Sequence, residues 1–503
     1  KIHPSDGLFD INNIPSFVKD YFEWHGEQLR KMEEGAEESK TKGRGNSGDA
    51  NAYLSNYRFL VLRCAAGKNN GGRRLVKDRC GGLSDRLKPF PLFLWYAAIT
   101  NRILFIRWGN NRPAAIETFM VPGRYWNWTV PDALIEKIEK MDKSVIDSDG
   151  NFTRLYFDGL GNQHEQMIES IRDRAVWMVE GNDFTGGKSR YENFVKTAIE
   201  RKTTAPVSHD ASSSDHDISF ASKLRPRDAF YENFYHDLFH ASFLPSPGVE
   251  KLLSSYFHNP NTVNESNANN EKKIELGNAR SAVPPSWLPV PLQRNRYVVA
   301  HYRAKYPREP YRETQNRTVL RETTIHAVEC AKSRVSNSVK PNIPRGTSSM
   351  KTTAGEVSAI YVASDTALVV ETARDAFPNR NVDPTETGGD PKNPMNIWTY
   401  LHLQTYDIEN NHSVSDSNGG STKTKSSITL AEDPPHLNFA KRDDVSAFYV
   451  IFVDLFLMSY ASCVVYGAGG FGRMGSLVSH RPWCGIPFTV DNGVLQHCNP
   501  YVG

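Results

Sequence analysis

The fold of this chain is decided by residues 453–479, which read VDLFLMSYASCVVYGAGGFGRMGSLVS. Residues 454–460 have the apolar spacing of a short amphipathic helix, and residues 461–466 form an apolar, β-branched run that is typical of a buried parallel strand. Glycines at positions 467, 469, 470 and 472 then permit a tight turn that leaves backbone N–H groups uncovered. Residues 473–478 can continue as a helix whose N-terminal dipole favours an anion. The segment therefore predicts a phosphate-binding loop.

The same glycines match the G-x-G-x-x-G pattern of dinucleotide-binding proteins, and Asp491 follows them at about the 20-residue distance of a ribose-binding acid. A dinucleotide fingerprint normally opens its domain and is followed by several more strands. Only a short tail follows Gly472 in this sequence. We therefore favour a phosphate-bearing donor nucleotide as the ligand. A nicotinamide-dependent dehydrogenase and a purely structural glycine turn are the alternatives.

Composition and charge limit the classes of protein to which this chain can belong. Its 503 residues are 39% apolar and 23% charged, which is enough to build two ordinary hydrophobic cores. The formal net charge of +3 gives no indication of nucleic-acid binding, and no apolar run is long enough to span a membrane. Because the sequence begins at Lys1 rather than Met, we expect a missing N-terminal segment, through which any membrane anchorage would occur.

Two features of the sequence predict an oxidising compartment. Five N-x-S/T sequons occur, at Asn127, Asn151, Asn264, Asn316 and Asn411. Two pairs among the six cysteines flank loops that a disulfide could close, namely Cys64 with Cys80 and Cys484 with Cys498. Cys463, inside an apolar strand, is predicted to be a small core residue. We expect a glycosylated, disulfide-bonded protein in the lumen of the secretory pathway.

The pattern along the chain predicts a stem and two domains. Residues 1–55 are polar and charged and predict a flexible stem. A polar linker and a proline-rich segment predict a boundary between an N-terminal α/β domain, residues 56–285, and a C-terminal domain, residues 286–503. Predicted strands and helices alternate in the C-terminal domain. This alternation indicates a parallel sheet with helices on both faces.

A polar corner lies near the start of the N-terminal domain. Residues 58–64 and 102–108 predict strands, and residues 91–100 predict an apolar helix between them. The sequence Ser-Asp-Arg at residues 84–86 precedes this helix, at the strand-to-helix corner where α/β folds place ligands. Asp85 is also a natural helix-capping residue, so a structural role is the alternative.

Two short motifs have a weak similarity to metal sites. His236 and His240 share a helical face with Asp237 between them, but the acid is not the Glu of H-E-x-x-H and no third ligand is evident. Asp147 and Asp149 form a D-x-D that precedes a glycine in a predicted turn. We therefore interpret the first motif as a surface helix and the second as a turn, and we expect no metal site.

Three strand-to-helix corners of the C-terminal domain carry polar groups at their strand ends. They contain His301 and Arg303, then Asp365, then residues 467–472, which we call the glycine segment. In an open parallel sheet these corners face one crevice. We assign Arg303 to a phosphate, Asp365 to a base edge and the backbone amides of the glycine segment to the remaining phosphate oxygens. The set predicts a site for a nucleoside diphosphate.

On these motifs the chain resembles the fucosyltransferase superfamily, which includes protein O-fucosyltransferases, α1,6-fucosyltransferases and their plant relatives. The sequence VVAHYR resembles its first motif, and IYVASD resembles its second. Asp454, Ser459 and Ala461 resemble its third motif, and residues 81–86 resemble its N-terminal glycine-rich corner. The resemblance covers about residues 57–108 and 297–479.

This resemblance implies an α/β fold of the GT-B type, in which two Rossmann-like domains face a central cleft. It implies metal-independent, inverting transfer of fucose from GDP-fucose to a hydroxyl of a glycan or glycoprotein in the Golgi or endoplasmic reticulum. GDP-fucose is the donor substrate, and no cofactor is implied. Carried over by position, Arg303 would hold the β-phosphate, and His301 and Asp365 would lie near the guanosine. As catalytic residues we predict Arg303 together with Asp85 and Arg86, of which Asp85 or Arg86 would orient the acceptor or contact the glycosidic oxygen. The predicted substrate-binding residues are Gly81, Gly82, Ser84, His301, Asp365, Gly469, Gly470, Phe471, Gly472 and Ser476.

The glycine segment departs from the superfamily pattern, because the third motif commonly ends in a turn rich in Ser and Thr. Backbone amides, or the hydroxyl of Ser476, would have to replace those hydroxyls in this chain. Two alternatives within the same fold follow. One is a GT-B transferase that uses another nucleotide sugar, and the other is a catalytically silent glycan-binding relative.

Overall fold

A computed structural model of the chain describes most of the predicted elements. The residues that it describes are 9–42, 52–64, 82–108, 114–135, 152–156, 175–180, 187–204, 223–257, 292–303, 305–306, 312–313, 317–337, 359–377, 396–399, 445, 448–467, 469–480, 486–487, 490–491 and 494–495.

Two compact units divide the chain. Unit 1 comprises Lys1–Ser246 with His436–Val445, and unit 2 comprises Pro247–Pro435 with Ser446–Gly503. The division falls earlier than the predicted boundary near residue 285, because Gly248 packs against the ring of Tyr449 in unit 2. Each unit is a mixed α/β structure, as predicted. The GT-B arrangement of the two remains a prediction.

Unit 1 contains one parallel sheet and the helices around it. Its helices are α1 (Ser16–Lys42), α2 (Leu83–Leu87), α3 (Phe90–Ile99), α4 (Gly187–Thr204) and α5 (Tyr235–Ser242). Its strands are β1 (Phe59–Cys64), β2 (Ile103–Trp108), β3 (Met120–Pro122), β4 (Phe152–Tyr156), β5 (Val176–Glu180) and β6 (Phe243–Pro245). The sheet has the order β2-β1-β5-β4, and its pairs are parallel. The predicted strands at 58–64 and 102–108 and the helix at 91–100 are confirmed.

Helix α1 (Ser16–Lys42) corrects, for its own residues, the flexible stem that was predicted for residues 1–55. Phe17, Tyr21 and other apolar residues at helical spacing are fully buried. The hydroxyl of Tyr21 donates to the carbonyl of Arg102 at 2.9 Å and accepts from the backbone N–H of Leu104 at 2.9 Å. The segment is polar on average, which concealed its apolar face. A helix needs only one apolar face to pack against a core.

Unit 2 contains a second parallel sheet. Its helices are α6 (Pro247–Phe257), α7 (Arg317–Asn337), α8 (Ala367–Ala376), α9 (Tyr449–Tyr460) and α10 (Gly470–Val478). Its strands are β7 (Tyr297–Tyr302), β8 (Lys305–Tyr306), β9 (Arg312–Glu313), β10 (Ala359–Ser364), β11 (Asn396–Thr399), β12 (Cys463–Tyr466), β13 (Ile486–Pro487), β14 (Val490–Asp491) and β15 (Val494–Leu495). The sheet order is β11-β10-β7-β12-β13, with parallel pairs.

The direction in which the sheet of unit 2 grows reverses beside β7. From β7 the chain adds β10 and β11 on one side and then returns to add β12 and β13 on the other. Open α/β sheets bind ligands outside the carboxyl ends of their strands at such a switch point. The carboxyl ends of β7 and β12 are therefore where a ligand is expected.

Two cysteines of unit 2 form disulfides. Cys330 on α7 and Cys463 on β12 are buried in one apolar cluster, and both are disulfide-bonded. Cys463 is therefore more than the small core residue that was predicted. The predicted pairs Cys64–Cys80 and Cys484–Cys498 include residues 80, 484 and 498, which lie outside the described part of the chain.

Among the described helices, none combines the length and the apolar character that a membrane span requires.

The interior of unit 2 contains a buried carboxyl group, which links helix α9 to strand β10 by a hydrogen bond. Asp454 on α9 is 4% exposed, and its Oδ1 accepts a hydrogen bond of 2.5 Å from the hydroxyl of Tyr361 on β10. The ring of Tyr256 meets that of Tyr361 edge-on. Burial raises the pKa of Asp454 from 3.8 to about 7. The hydrogen bond from Tyr361 lowers this pKa, but its effect is smaller than that of burial. The folded state therefore favours the protonated acid.

We expect Asp454 to make the stability of the protein depend on pH. A carboxyl whose pKa is higher in the folded state stabilises the fold below its unfolded pKa, and that stabilisation is lost as the pH rises toward the folded pKa. The free energy of unfolding of the wild type should fall between about pH 4 and pH 7 relative to that of Asp454→Asn. Denaturant titrations of both proteins across this range measure the difference. A difference that stays constant from pH 4 to pH 8 would contradict the prediction.

Candidate functional site

The three polar corners of unit 2 meet at one edge of the sheet. The strand register pairs His301 with Ala363 of β10 on one side and with Tyr466 of β12 on the other. The strands β7, β10 and β12 therefore end at the same level of the sheet. Arg303 follows β7, Asp365 follows β10 and the glycine segment follows β12. The predicted convergence of the three corners is therefore present within unit 2.

The spacing of His301 and Arg303 sends both side chains toward the glycine segment. Successive side chains of a strand point to opposite faces, so residues two apart share a face. Tyr302, between them, packs against the apolar cluster on the other face, beside α7. The H-x-R spacing thus places two polar side chains on the same side of β7.

Helix α10 begins earlier than the sequence suggested. It starts at Gly470 rather than near residue 473, so Phe471 and Gly472 lie in its first turn. Gly469 precedes it with φ 111°, a backbone conformation that favours glycine. The backbone N–H of Gly467 donates to the carbonyl of His301 at 3.1 Å, which ties this turn to β7. The first N–H groups of such a helix have no intrahelical acceptor and suit an anion.

The guanidinium of Arg303 rests against this turn. A Cβ atom at Gly469 would lie 2.9 Å from the Cδ of Arg303 and 3.2 Å from its Nη1. The Nε of Arg303 is 3.7 Å from Oδ2 of Asp365, and the two side chains are 16% and 26% exposed. Asp365, predicted to bind a base edge, thus faces Arg303. One edge of the guanidinium is directed to the carboxylate and Nη1 is directed to the helix start.

His301 presents a buried polar atom to the same turn. Its ring is 4% exposed, and within the described part of the chain its Nδ1 has no hydrogen-bond partner. A Cβ atom at Gly472 would lie 2.6 Å from this Nδ1, and the ring of Phe471 meets the imidazole at 5.5 Å. Burial, with a smaller contribution from Arg303, lowers the pKa of His301 to about 4. The imidazole is therefore neutral at neutral pH.

Some predicted residues lie away from this turn. Ser476 is buried six residues after Gly470, which is about 9 Å along the helix axis. Ser459, of the third motif, donates to the carbonyl of Phe456 at 2.8 Å inside α9. Asp491, the candidate ribose-binding acid, pairs with Val494 in a two-stranded antiparallel ribbon outside the main sheet.

The polar corner of unit 1 forms the start of α2. Oδ2 of Asp85 accepts from the backbone N–H of Gly82 at 2.8 Å, and the hydroxyl of Ser84 donates to Oδ1 at 3.3 Å. Asp85 therefore caps its own helix, in agreement with the structural alternative. The guanidinium of Arg86 is buried and lies 4.7 Å from the ring centroid of Trp108. Gly81 lies outside the described residues.

A small pocket adjoins this corner at the carboxyl ends of β1 and β2. Asp85 and Arg86 line it together with Arg63, Phe93 and Trp108. Sequence reasoning missed Arg63 and Trp108, although both lie at the ends of correctly predicted strands. That position was the available signal, since ligands of α/β sheets bind beyond strand ends.

The weak metal motifs have different outcomes. His236, Asp237 and His240 are buried on α5, which corrects the predicted surface helix. The carboxylate of Asp237 accepts from the backbone N–H of Asp10 at 2.8 Å. In the described part of the chain no group of three or more His, Cys, Asp or Glu residues could hold a metal ion. Asp147 and Asp149 lie outside that part.

Comparisons with known proteins leave the family open. No family model and no curated protein matches this chain. Among solved structures, a mutant of Arabidopsis thaliana FUT1 in complex with GDP is similar to it, with a TM-score of 0.43 and 13% sequence identity over 95% of this chain and 80% of that chain. A likeness at this level establishes no function, so the function must come from the side chains.

Proposed function

We propose that unit 2 binds a nucleoside diphosphate sugar and that the protein transfers the sugar to a hydroxyl of a glycan or glycoprotein. The observation that carries this proposal is the convergence of Arg303, the N-terminus of α10 and Nδ1 of His301 on one turn at the switch point of the sheet. Three independent sources of positive potential or hydrogen bonding thus lie along one turn.

A diphosphate is the ligand that this convergence suits best. The helix N-terminus supplies unsatisfied N–H donors and a partial positive charge, and an arginine binds phosphate oxygens through a planar fork. A buried polar atom without a partner costs free energy, which a ligand can recover by bonding to it. Asp365 supports the same assignment, because its carboxylate lies 3.7 Å from Nε of Arg303 and helps to orient the guanidinium beside the turn.

The positive charges that bind the diphosphate would also promote transfer of the sugar. The oxygen of the acceptor hydroxyl attacks the anomeric carbon, the bond from that carbon to the diphosphate oxygen breaks, and the acceptor loses its proton. Arg303 and the start of α10 stabilise the charge that develops on the departing diphosphate. In an inverting transfer the acceptor must lie opposite that leaving group, which requires precise orientation.

The finer identity of the enzyme comes from the sequence motifs. The resemblance of VVAHYR and IYVASD to fucosyltransferase motifs supports GDP-fucose as the donor, a GT-B fold and transfer without a metal ion. Another nucleotide sugar, or glycan binding without turnover, remains the alternative. Asp85 and Arg86 are proposed on the acceptor side, where Asp85 acts by ordering α2.

A location in the Golgi or endoplasmic reticulum is part of the proposal. The disulfides of Cys330 and Cys463 support it, because disulfides persist in oxidising compartments. The five sequons agree with the same location.

We expect GDP to raise the melting temperature of the protein without added metal. A ligand that binds the folded state at 100 times its dissociation constant stabilises it by about 2.7 kcal/mol. Thermal melts with GDP, UDP and NAD, each with and without a chelator, test this. A shift with NAD alone would favour the dehydrogenase, and a GDP shift that the chelator removes would contradict metal-independent binding. Transfer assays with a panel of nucleotide sugars then separate the donors from a silent binding protein.

A further inference from the structure

A segment of unit 1 after β3 alternates regularly between solvent and core. Trp126, Trp128 and Val130 are 1%, 0% and 7% exposed, whereas Tyr125 and Asn127 are exposed. This period of two is that of an extended chain in which alternate side chains face opposite ways. Asn127 is therefore directed to solvent by its buried neighbours.

The two tryptophans fix the backbone on either side of Asn127. The carbonyl of Trp128 accepts from the N–H of Ile106 on β2 at 2.9 Å, and its indole donates to the carbonyl of Ser242 at 2.9 Å. Trp126 stacks on Phe90 at 4.9 Å between ring centroids. The exposed amide of Asn127 is thus held outward by buried anchors on both sides.

The side chains of Asn127 and Thr129 are joined. The hydroxyl of Thr129 donates to Oδ1 of Asn127 at 2.6 Å, and its backbone N–H donates to the same atom at 3.2 Å. Both donors bind the amide oxygen, which fixes the orientation of the exposed side chain of Asn127. The sequence alone offers five sequons, but the other four asparagines lie outside the described residues.

We propose that Asn127 of the folded protein carries an N-linked glycan. In the modification, Nδ2 attacks the anomeric carbon of an oligosaccharide linked to a lipid diphosphate. The bond from that carbon to the diphosphate oxygen breaks, its electron pair leaves with the diphosphate, and Nδ2 loses one proton. The product is a neutral amide, so no charge is placed on the surface. A bulky glycan fits at this position without moving the buried tryptophans.

This inference goes beyond the proposed sugar transfer, because it concerns the surface of unit 1 and holds whatever ligand unit 2 binds. It rests on the proposed location in the secretory pathway, where asparagine is glycosylated. The glycan would share a face of the segment with Tyr125, which is 38% exposed and is one of two large apolar side chains that are exposed in the described part of the chain.

The test is the occupancy of Asn127 when the full chain, preceded by a secretion signal, is made in eukaryotic cells. Release of glycans by a peptide amidase in heavy-oxygen water marks each occupied asparagine as a labelled aspartate, and the Asn127 peptide is read by mass spectrometry. If the chain stays in the cell, the same peptide is read from the lumenal fraction. We expect the label on Asn127, and an unlabelled peptide from the lumenal or secreted chain would overturn the proposal.

Matched variants separate modification from folding. Asn127→Gln and Thr129→Ala should each lose the mass of one glycan, whereas Thr129→Ser keeps the hydroxyl and should retain it. Asn12→Gln changes an exposed asparagine that is outside any sequon and should leave the mass of the glycans unchanged. Retention of the full glycan mass in Thr129→Ala would also overturn the proposal.

Discussion

Replacement of Arg303 by alanine is expected to lower turnover about 100-fold or more, which is the effect of removing one preorganised donor from a developing negative charge. The guanidinium rests against Gly469 at the start of α10 and is oriented by Asp365. Its loss removes the guanidinium that lies against this turn.

Lysine at the same position should restore little activity. Arg303→Lys keeps the charge but loses the planar fork that binds two phosphate oxygens together. An ammonium group also cannot contact Asp365 and a diphosphate with separate edges. Transfer rates of both variants, measured with the same donor and acceptor, give the comparison.

Arg296→Ala is the matched control for Arg303→Ala. Arg296 is an exposed arginine that directly precedes the amino end of β7, and its Nη1 donates to the side chain of Gln293. This variant should keep wild-type turnover. A thermal melt confirms that each variant is folded, and near-normal turnover in a folded Arg303→Ala protein would exclude the assigned role.

Gly472→Ala is expected to weaken GDP binding about 10- to 100-fold, by forcing His301 out of place. A Cβ atom at this position would lie 2.6 Å from Nδ1 of His301 and 2.6 Å from Cβ of Tyr466. Overpacking of a filled interior costs about 1–3 kcal/mol, and each 1.4 kcal/mol of lost binding is about tenfold in affinity. Isothermal titration with GDP measures the change.

Two other glycines provide controls for Gly472→Ala. Gly475→Ala brings a Cβ atom against the sulfur of Met458 between α9 and α10, so it should lower stability while GDP affinity is unchanged. Gly26→Ala meets nothing within 4 Å on α1 and should raise stability by about 0.5–1 kcal/mol. If Gly472→Ala bound GDP as the wild type does, His301 would not be part of the site.

The roles of Asp365 and Asp85 show where sequence reasoning reached its limit. Both residues were correctly placed at strand-to-helix corners, but their partners were not predicted. Asp365 faces Nε of Arg303, and Asp85 accepts from the N–H of Gly82. A carboxylate in a sequence has the same letter whether it binds a ligand, orients an arginine or caps a helix. Only the distances to its neighbours separate these roles.

The sequence by itself determined the features that depend on short stretches of chain. Strand β12, the turn after it and the alternation of His301 and Arg303 follow from side-chain periodicity and glycine content, which act over a few residues. Tertiary structure decided what depends on strand register between distant segments. It placed His301 over Gly472 and Arg303 over Gly469, and it packed α1 into a core that its polar composition concealed. The physical reason is that a contact between segments far apart in the chain depends on which strands pair and in what register, and no local pattern encodes that choice.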